Sequence, residues 1–153
     1  MRALENRIPP PVVALLVAAA MWGVARAFPA PSIETSLRFA IAGIFVLSGL
    51  IIAALGSLAF GRAQTTVNPL KPEAASSLVV VGVYRSTRNP MYLGIAIALV
   101  GWAVYLAAAW VFLGPILFAL IITRIQIVPE ERALLAKFGP AFTEYRSKVR
   151  RWL

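Results

Sequence analysis

The sequence predicts an all-α integral membrane protein of about four transmembrane helices, the last two a hairpin, with a C-terminal amphipathic helical segment. Three observations carry that expectation. The chain is 60% hydrophobic and only 14% charged, with a mean hydropathy of +0.81, whereas soluble domains carry about 25% charged residues. Its apolar residues fall into long charge-free runs separated by short polar breaks. The third observation is one of length. From Asn89 to Thr123 there are 35 residues without a charge, roughly 53 Å as a single helix at about 1.5 Å per residue. A hydrocarbon core is roughly 30 Å thick. The run must therefore cross, turn and return, which brings Arg88 and Asn89 to the same membrane face as Glu130 and Glu131.

Composition also excludes several classes of chemistry. Without cysteine or histidine there are no disulfides, thiol nucleophiles or imidazole bases. No metal is expected, because carboxylates would have to supply every ligand. The net charge of +9 could suit nucleic acid. In so apolar a chain it fits anionic membrane lipid instead, and no nucleic-acid partner is expected.

Taken in order, residues 8–25 form the first span, entered through Pro9-Pro10-Pro11. A cleaved signal peptide is the competing reading, with Arg2 and Arg7 as its basic start and Ala25-Arg26-Ala27 as its cleavage site. Glu5 and the three prolines argue against it. Pro29-Ala30-Pro31 makes a loop, Ser32 is the expected N-cap, and Glu34 favours a helix start. Residues 39–61 are the clearest span. Within it Ala42, Gly49 and Gly56 recur every seven residues as a small-residue stripe, which lets helices approach closely in lipid.

Residues 62–90 form a cytosolic linker that leads into the motif Gly82 to Gly94. Its β-branched run, Leu78 to Val83, reads by itself as a buried strand or an interfacial segment. The third span is 91–107 and the fourth 109–128, with Tyr105 and Trp110 as interfacial aromatics near the turn. Gly114-Pro115 is expected to kink the fourth helix. Arg124 interrupts an otherwise apolar run, either snorkelling to the interface or facing a pocket. Residues 129–153 carry an apolar face of Leu134, Phe138, Phe142, Tyr145, Val149 and Trp152. Gly139-Pro140 divides this segment in two, and its basic residues read as a membrane-surface decoration. Thirteen of the fifteen Lys and Arg lie on one side if both termini are cytoplasmic, as the positive-inside rule requires. A bacterial inner membrane is the expected location.

The residues Gly82-Val83-Tyr84, Arg88-Asn89-Pro90-Met91-Tyr92-Leu93-Gly94, Glu130-Glu131, Phe138-Gly139 and Tyr145-Arg146 follow one another in an order that is recognisable. Over residues 78–153 the chain resembles the phospholipid methyltransferase and isoprenylcysteine carboxyl methyltransferase superfamily of membrane enzymes. The resemblance implies an S-adenosylmethionine-dependent methyltransferase acting on a lipophilic acceptor that enters from the bilayer, either an isoprenylcysteine-like carboxylate or a phospholipid amine. It implies a cofactor site of Val79, Gly82, Tyr84, Arg88, Asn89, Tyr92, Glu130 and Glu131. Many members carry histidine where this chain has Asn89, which weakens the prenylcysteine substrate more than methyl transfer itself.

The chemistry of these residue types agrees with that implication. A carboxylate suits the cofactor's amine or ribose diol, amides and backbone suit the rest, and tyrosine rings pack against a sulfonium or adenine. Glu130 and Arg124 are the candidate catalytic residues, Arg124 lying roughly 9 Å deeper by helical rise and serving the acceptor. The plain alternative for Glu130-Glu131 is to favour a helix N-terminus behind Pro129. A nicotinamide-dependent membrane reductase and a non-catalytic membrane subunit are the competing functions.

Overall fold

A computed structural model describes residues 5, 7–28, 35–63 and 76–153. The expected Pro29–Pro31 loop, the Ser32 cap, Glu34 and linker residues 64–75 lie outside them. The described residues form five helices: α1 (Pro10–Ala27), α2 (Thr35–Arg62), α3 (Pro90–Leu106), α4 (Leu113–Ile122) and α5 (Val128–Lys148), the last kinked into two pieces at Gly139 (φ 48°). A π-turn, Thr123–Ile127, joins α4 to α5 without a break. Short 3-10 turns, Gly82–Arg85 and Ala109–Phe112, precede α3 and α4.

Length and composition qualify three stretches to cross a membrane: Pro10–Ala27, Ser36–Arg62 and Ala109–Lys148. The fourth apolar helix, α3, has 17 residues, about 26 Å at about 1.5 Å each and at the short end of what can span. In the long third stretch only the first half, through Val128, is free of acidic residues. The protein is an all-α integral membrane protein.

Local chemistry accounts for the ends. Pro10 and Pro90 both sit at the first turn of their helices, where the missing N–H would be unbonded in any case. Ala107 closes α3 in the left-handed conformation (φ 56°), and the chain reverses over the following 3-10 turn. Glycine is absent there, so the reversal had no local sequence marker.

The stripe of small residues is used within the bundle. A Cβ on Gly49 would collide with the carbonyl of Gly94 and the backbone of Ala98, and one on Gly101 would lie 2.8 Å from the Ala42 carbonyl. α2 and α3 thus touch backbone to backbone. α1 packs on α3 and α4 through Val13, Val17 and Met21, against Leu99, Ala103, Phe118 and Ile122. The Trp102 indole donates to the Ala18 carbonyl at 3.0 Å. Leu15, Leu16, Leu47, Leu50, Leu117 and Leu120 are exposed, the pattern of a bundle whose solvent is lipid.

Two expectations change. Gly114-Pro115 does not kink a helix; it lies in the first turn of α4, where proline is tolerated. Gly114 also gives up its side chain to the close approach of Met21. The run Leu78–Val83 is no strand, and none occurs among the described residues. Val81 is still extended, and Gly82 (φ 60°) turns the chain into a 3-10 helix.

The ends of the bundle are distinct. Phe39 stacks on Tyr105 at one end, while at the other Phe60 meets Tyr84 edge-on and Gly56 meets Pro90. The Glu5–Arg132 ion pair brings the N-terminus to this second end. Gly94→Val should therefore lower the thermal midpoint of the detergent-solubilised protein by several degrees. Gly23→Ala, with nothing within 4 Å of the added methyl, should be neutral or slightly stabilising, by at most about 1 kcal/mol.

Candidate functional site

Around Pro90 three chain segments converge: the loop before α3, the start of α5 and the last residues of the chain. Pro129 explains part of the local shape. Its ring conflicts with the carbonyl four residues earlier, that of Ile125, and the wider π-turn over Thr123–Ile127 accommodates it. This turn buries Ile125, Gln126 and Ile127 in succession and leaves Arg124 exposed.

Glu130 and Glu131 are neighbours in sequence with different partners. The Tyr92 hydroxyl donates to Glu130 Oε1 at 2.5 Å and the Gln126 amide donates to the same oxygen at 2.9 Å. Both donors are neutral. Burial pushes the Glu130 carboxyl up to about 7, against the two hydrogen bonds and with help from the Glu131 charge. Glu131 instead faces cations. Arg88 Nη2 reaches Oε1 at 2.7 Å, and Arg151 reaches Oε2 at 2.6 Å and Oε1 at 3.0 Å. Burial opposes ionisation there too. The hydrogen bonds from Arg151 and Arg88 outweigh it and hold Glu131 below the ordinary carboxylate range. Successive helical residues point about 100° apart, which is why one glutamate meets α3 and the other meets the arginines.

The arginine pair ties down the C-terminus. The Arg88 N–H donates to the Arg150 carbonyl at 3.0 Å, and Arg88 Nη1 donates to Val149 O at 2.5 Å and Arg146 O at 3.2 Å. Thr87 Oγ1 and Asn89 Nδ2 both donate to the Arg151 carbonyl, at 3.2 and 2.9 Å. The Trp152 indole donates to Thr123 Oγ1 at 3.2 Å. Residues 149–152 form a strap across the Thr87–Asn89 loop. On its other side the Tyr145 hydroxyl donates to the Tyr84 carbonyl at 2.7 Å.

The sequence-chosen residues thus divide into groups. Tyr92 and Glu130 are bonded directly, with Tyr84 buried close by and Val79 buried against it. Arg88, Asn89 and Glu131 are engaged by the strap. Gly82 is exposed, and nothing lies within 4 Å of where its Cβ would be. Arg124 stands apart on the outer side of the π-turn. Sequence reasoning passed over Gln126, Thr87, Arg151 and Trp152. Gln126 had a signal, as a lone amide four residues before Glu130 in an apolar run. Arg151 had none among its basic neighbours, and reading it as surface decoration is corrected by its bidentate hold on Glu131.

Among the described residues no group of His, Cys, Asp or Glu could hold a metal. Fold and site define an all-helical membrane protein with a half-buried acid at one end of the bundle and a strap of its own C-terminus over the adjoining motif. The phospholipid methyltransferase family model matches residues 37–141, and the chain belongs to that family. An uncharacterised protein of Haemophilus influenzae is 43% identical over 63 residues, 41% of this chain and all of that protein. Two probable protein-S-isoprenylcysteine O-methyltransferases, from Oryza sativa subsp. indica and subsp. japonica, are 34% identical over 109 residues. That alignment covers 69% of this chain and 56% of each rice protein, so the chain spans about half their length. No solved structure matches the chain.

Losing one partner of a buried ion pair typically destabilises by about 3–5 kcal/mol, and Arg88 and Glu131 side chains are only 9% and 12% exposed. Arg88→Ala should reach the lower end of that range, about 3 kcal/mol. Arg151 is more exposed, and Arg151→Ala should chiefly free the strap, read as faster amide exchange over 149–153. Because the folded Glu131 is held low, the strap's protection should be full above the unfolded carboxylate value of about 4.3. It should be lost only as pH falls through the lower folded value.

Proposed function

We propose that this protein is a membrane methyltransferase that uses S-adenosylmethionine to methylate a lipophilic acceptor reaching it through the bilayer. The observation that carries the reading is the half-buried Glu130, hydrogen-bonded to Tyr92 of the Arg-Asn-Pro-Met-Tyr motif, at the open end of the α3–α4 hairpin. Family membership supports the reaction class.

The donor set suits this cofactor. Bound S-adenosylmethionine would supply an electrophilic methyl group on a sulfonium. Such displacement needs no metal, and positioning contributes most of the rate. Glu130 would accept from the ammonium or the ribose diol, its charge developed when its proton leaves. Tyr84 and Tyr92 would offer ring faces, and the backbone at Val79–Gly82 amide groups. The open space at Gly82 and the exposure of Val80 and Val81 support a ligand on that side. Arg88, Asn89 and Glu131 would act at one remove, through the strap.

Arg124 would serve the acceptor. It is exposed where the helix leaves the apolar half of α4 and the π-turn, the level at which a lipid phosphate or carboxylate lies. A groove of about 400 Å³, lined by Ala14, Leu15, Leu50, Ala53, Ala98 and Trp102 among others, gives an apolar tail a lateral seat. With both termini in the cytoplasm of a bacterial cell, the site would draw cofactor from the cytosol. A reductase is not favoured: Arg88 and Arg151, the arginines beside the motif, are already paired with Glu131.

Calorimetry on the purified protein should show saturable binding of S-adenosylhomocysteine and none of reduced nicotinamides; the reverse would move the protein to the reductase class. Glu130→Gln should weaken binding by roughly ten- to a hundredfold, the worth of one charged hydrogen bond at about 1.5–3 kcal/mol. Affinity for the methyl donor should rise with pH through about 7 in the parent, as Glu130 ionises, and be flat over that range in Glu130→Gln. Arg124→Ala should leave cofactor affinity unchanged and depress turnover of lipid. If Arg124→Ala abolishes cofactor binding in a folded protein, this division of roles is wrong.

A further inference from the structure

Gln126 is fully buried at the end of an apolar run, inside the one stretch of π-helix among the described residues. In a regular helix three successive residues sweep about 200°, so one of Ile125, Gln126 and Ile127 would face outward. Here all three are buried. π-turns recur at functional sites, where they re-aim side chains at some cost in stability. This one places an amide four residues before Glu130, on the same face, with Nε2 2.9 Å from Glu130 Oε1.

We propose that Gln126 is a positioning residue: with Tyr92 it holds Oε1 of Glu130, so that the other carboxylate oxygen is presented to a cationic or hydroxyl-bearing ligand. The inference deepens the methyltransferase reading and rests on it for the ligand, though not for the geometry. A carboxylate with a free torsion can rotate either oxygen toward a ligand. Two donors converging on Oε1, one from α3 and one from the π-turn, remove that freedom before the ligand arrives. Preorganisation of this kind raises affinity by sparing the ordering cost at binding. A purely structural amide could lie anywhere on the buried face; this one donates to the acid that the site depends on. The titratable groups around Glu130 are Tyr92 from α3, Tyr84 from the 3-10 turn and Glu131 on its own helix, and the last stays ionised against Arg88 and Arg151.

The test uses the full chain in lipid nanodiscs. Gln126→Met keeps the length and apolar fit of the side chain and removes the donor. The carboxyl titration of Glu130 is followed by infrared difference spectroscopy without ligand, its band assigned by loss in Glu130→Gln. Loss of a donor to the carboxylate should move that titration upward by about one pH unit, a tenfold change in proton affinity. S-adenosylhomocysteine should bind roughly tenfold more weakly, and the pH at which its affinity rises should move up in step. Tyr92→Phe should shift the titration in the same direction, because it strips the same oxygen. Should Gln126→Met fail to fold, Gln126→Asn carries the test, since it keeps a buried amide but is one methylene too short to reach. A folded variant whose titration and affinity both match the parent overturns the proposal. If neither parent nor variant binds the methyl donor while the titration still shifts, positioning stands and the methyltransferase reading falls.

Discussion

An ionised carboxylate that is largely buried needs a compensating partner, and the pairing of Glu131 with Arg88 and Arg151 organises everything around it. Arg88 comes from the loop before α3, Glu131 from the start of α5, and Arg151 from the end of the chain. One charge therefore joins segments separated by 43 and 20 residues. Truncating Glu131 leaves the largely buried Arg88 charge without its partner, a larger penalty than the pair is worth in net stability, whereas loss of the more exposed Arg151 still leaves Glu131 paired with Arg88. The strap over Thr87–Asn89 shares this arginine, since Arg88 holds Glu131 through Nη2 and the carbonyls of Arg146 and Val149 through Nη1.

The two adjacent glutamates illustrate how environment separates identical side chains. Glu131 is surrounded by cations and stays ionised. Glu130 sees only hydroxyl and amide donors and retains its proton to near neutrality. A group poised in that way can change its charge when a cation arrives, whereas a salt-bridged one cannot without breaking the structure. The difference is produced by a single step of helical rotation.

The close contact of α2 with α3 has a consequence for the site as well. Gly49, Gly94 and Gly101 allow the backbones to meet, so α3 is held rigidly on one side by α2 and on the other by α1 and α4. Tyr92 projects from that fixed helix. Its reach to Glu130 is set by the bundle rather than by a loop, which is what a site needing sub-ångström placement requires.

The apolar runs and the single polar linker made the all-α membrane class legible in the sequence, because burial in lipid demands long uninterrupted stretches whatever their neighbours. The reversal after α3 was legible too, from length alone: 35 charge-free residues exceed one crossing. The motif residues could be named, and Tyr92 with Glu130 did meet. What each glutamate does was decided only by tertiary structure, since adjacent positions in sequence say nothing of which face meets α3. Arg151 was indistinguishable from the other arginines of the tail until the strap folded back, and the extended-looking run at Leu78–Val81 pairs with no strand among the described residues before Gly82 turns the chain. Gln126 marks the boundary between the two kinds of information. Its oddity in an apolar run was visible in the sequence, but its meaning depended on a π-turn that shifts the helix face by one residue, and no local pattern in the sequence encodes where that shift points.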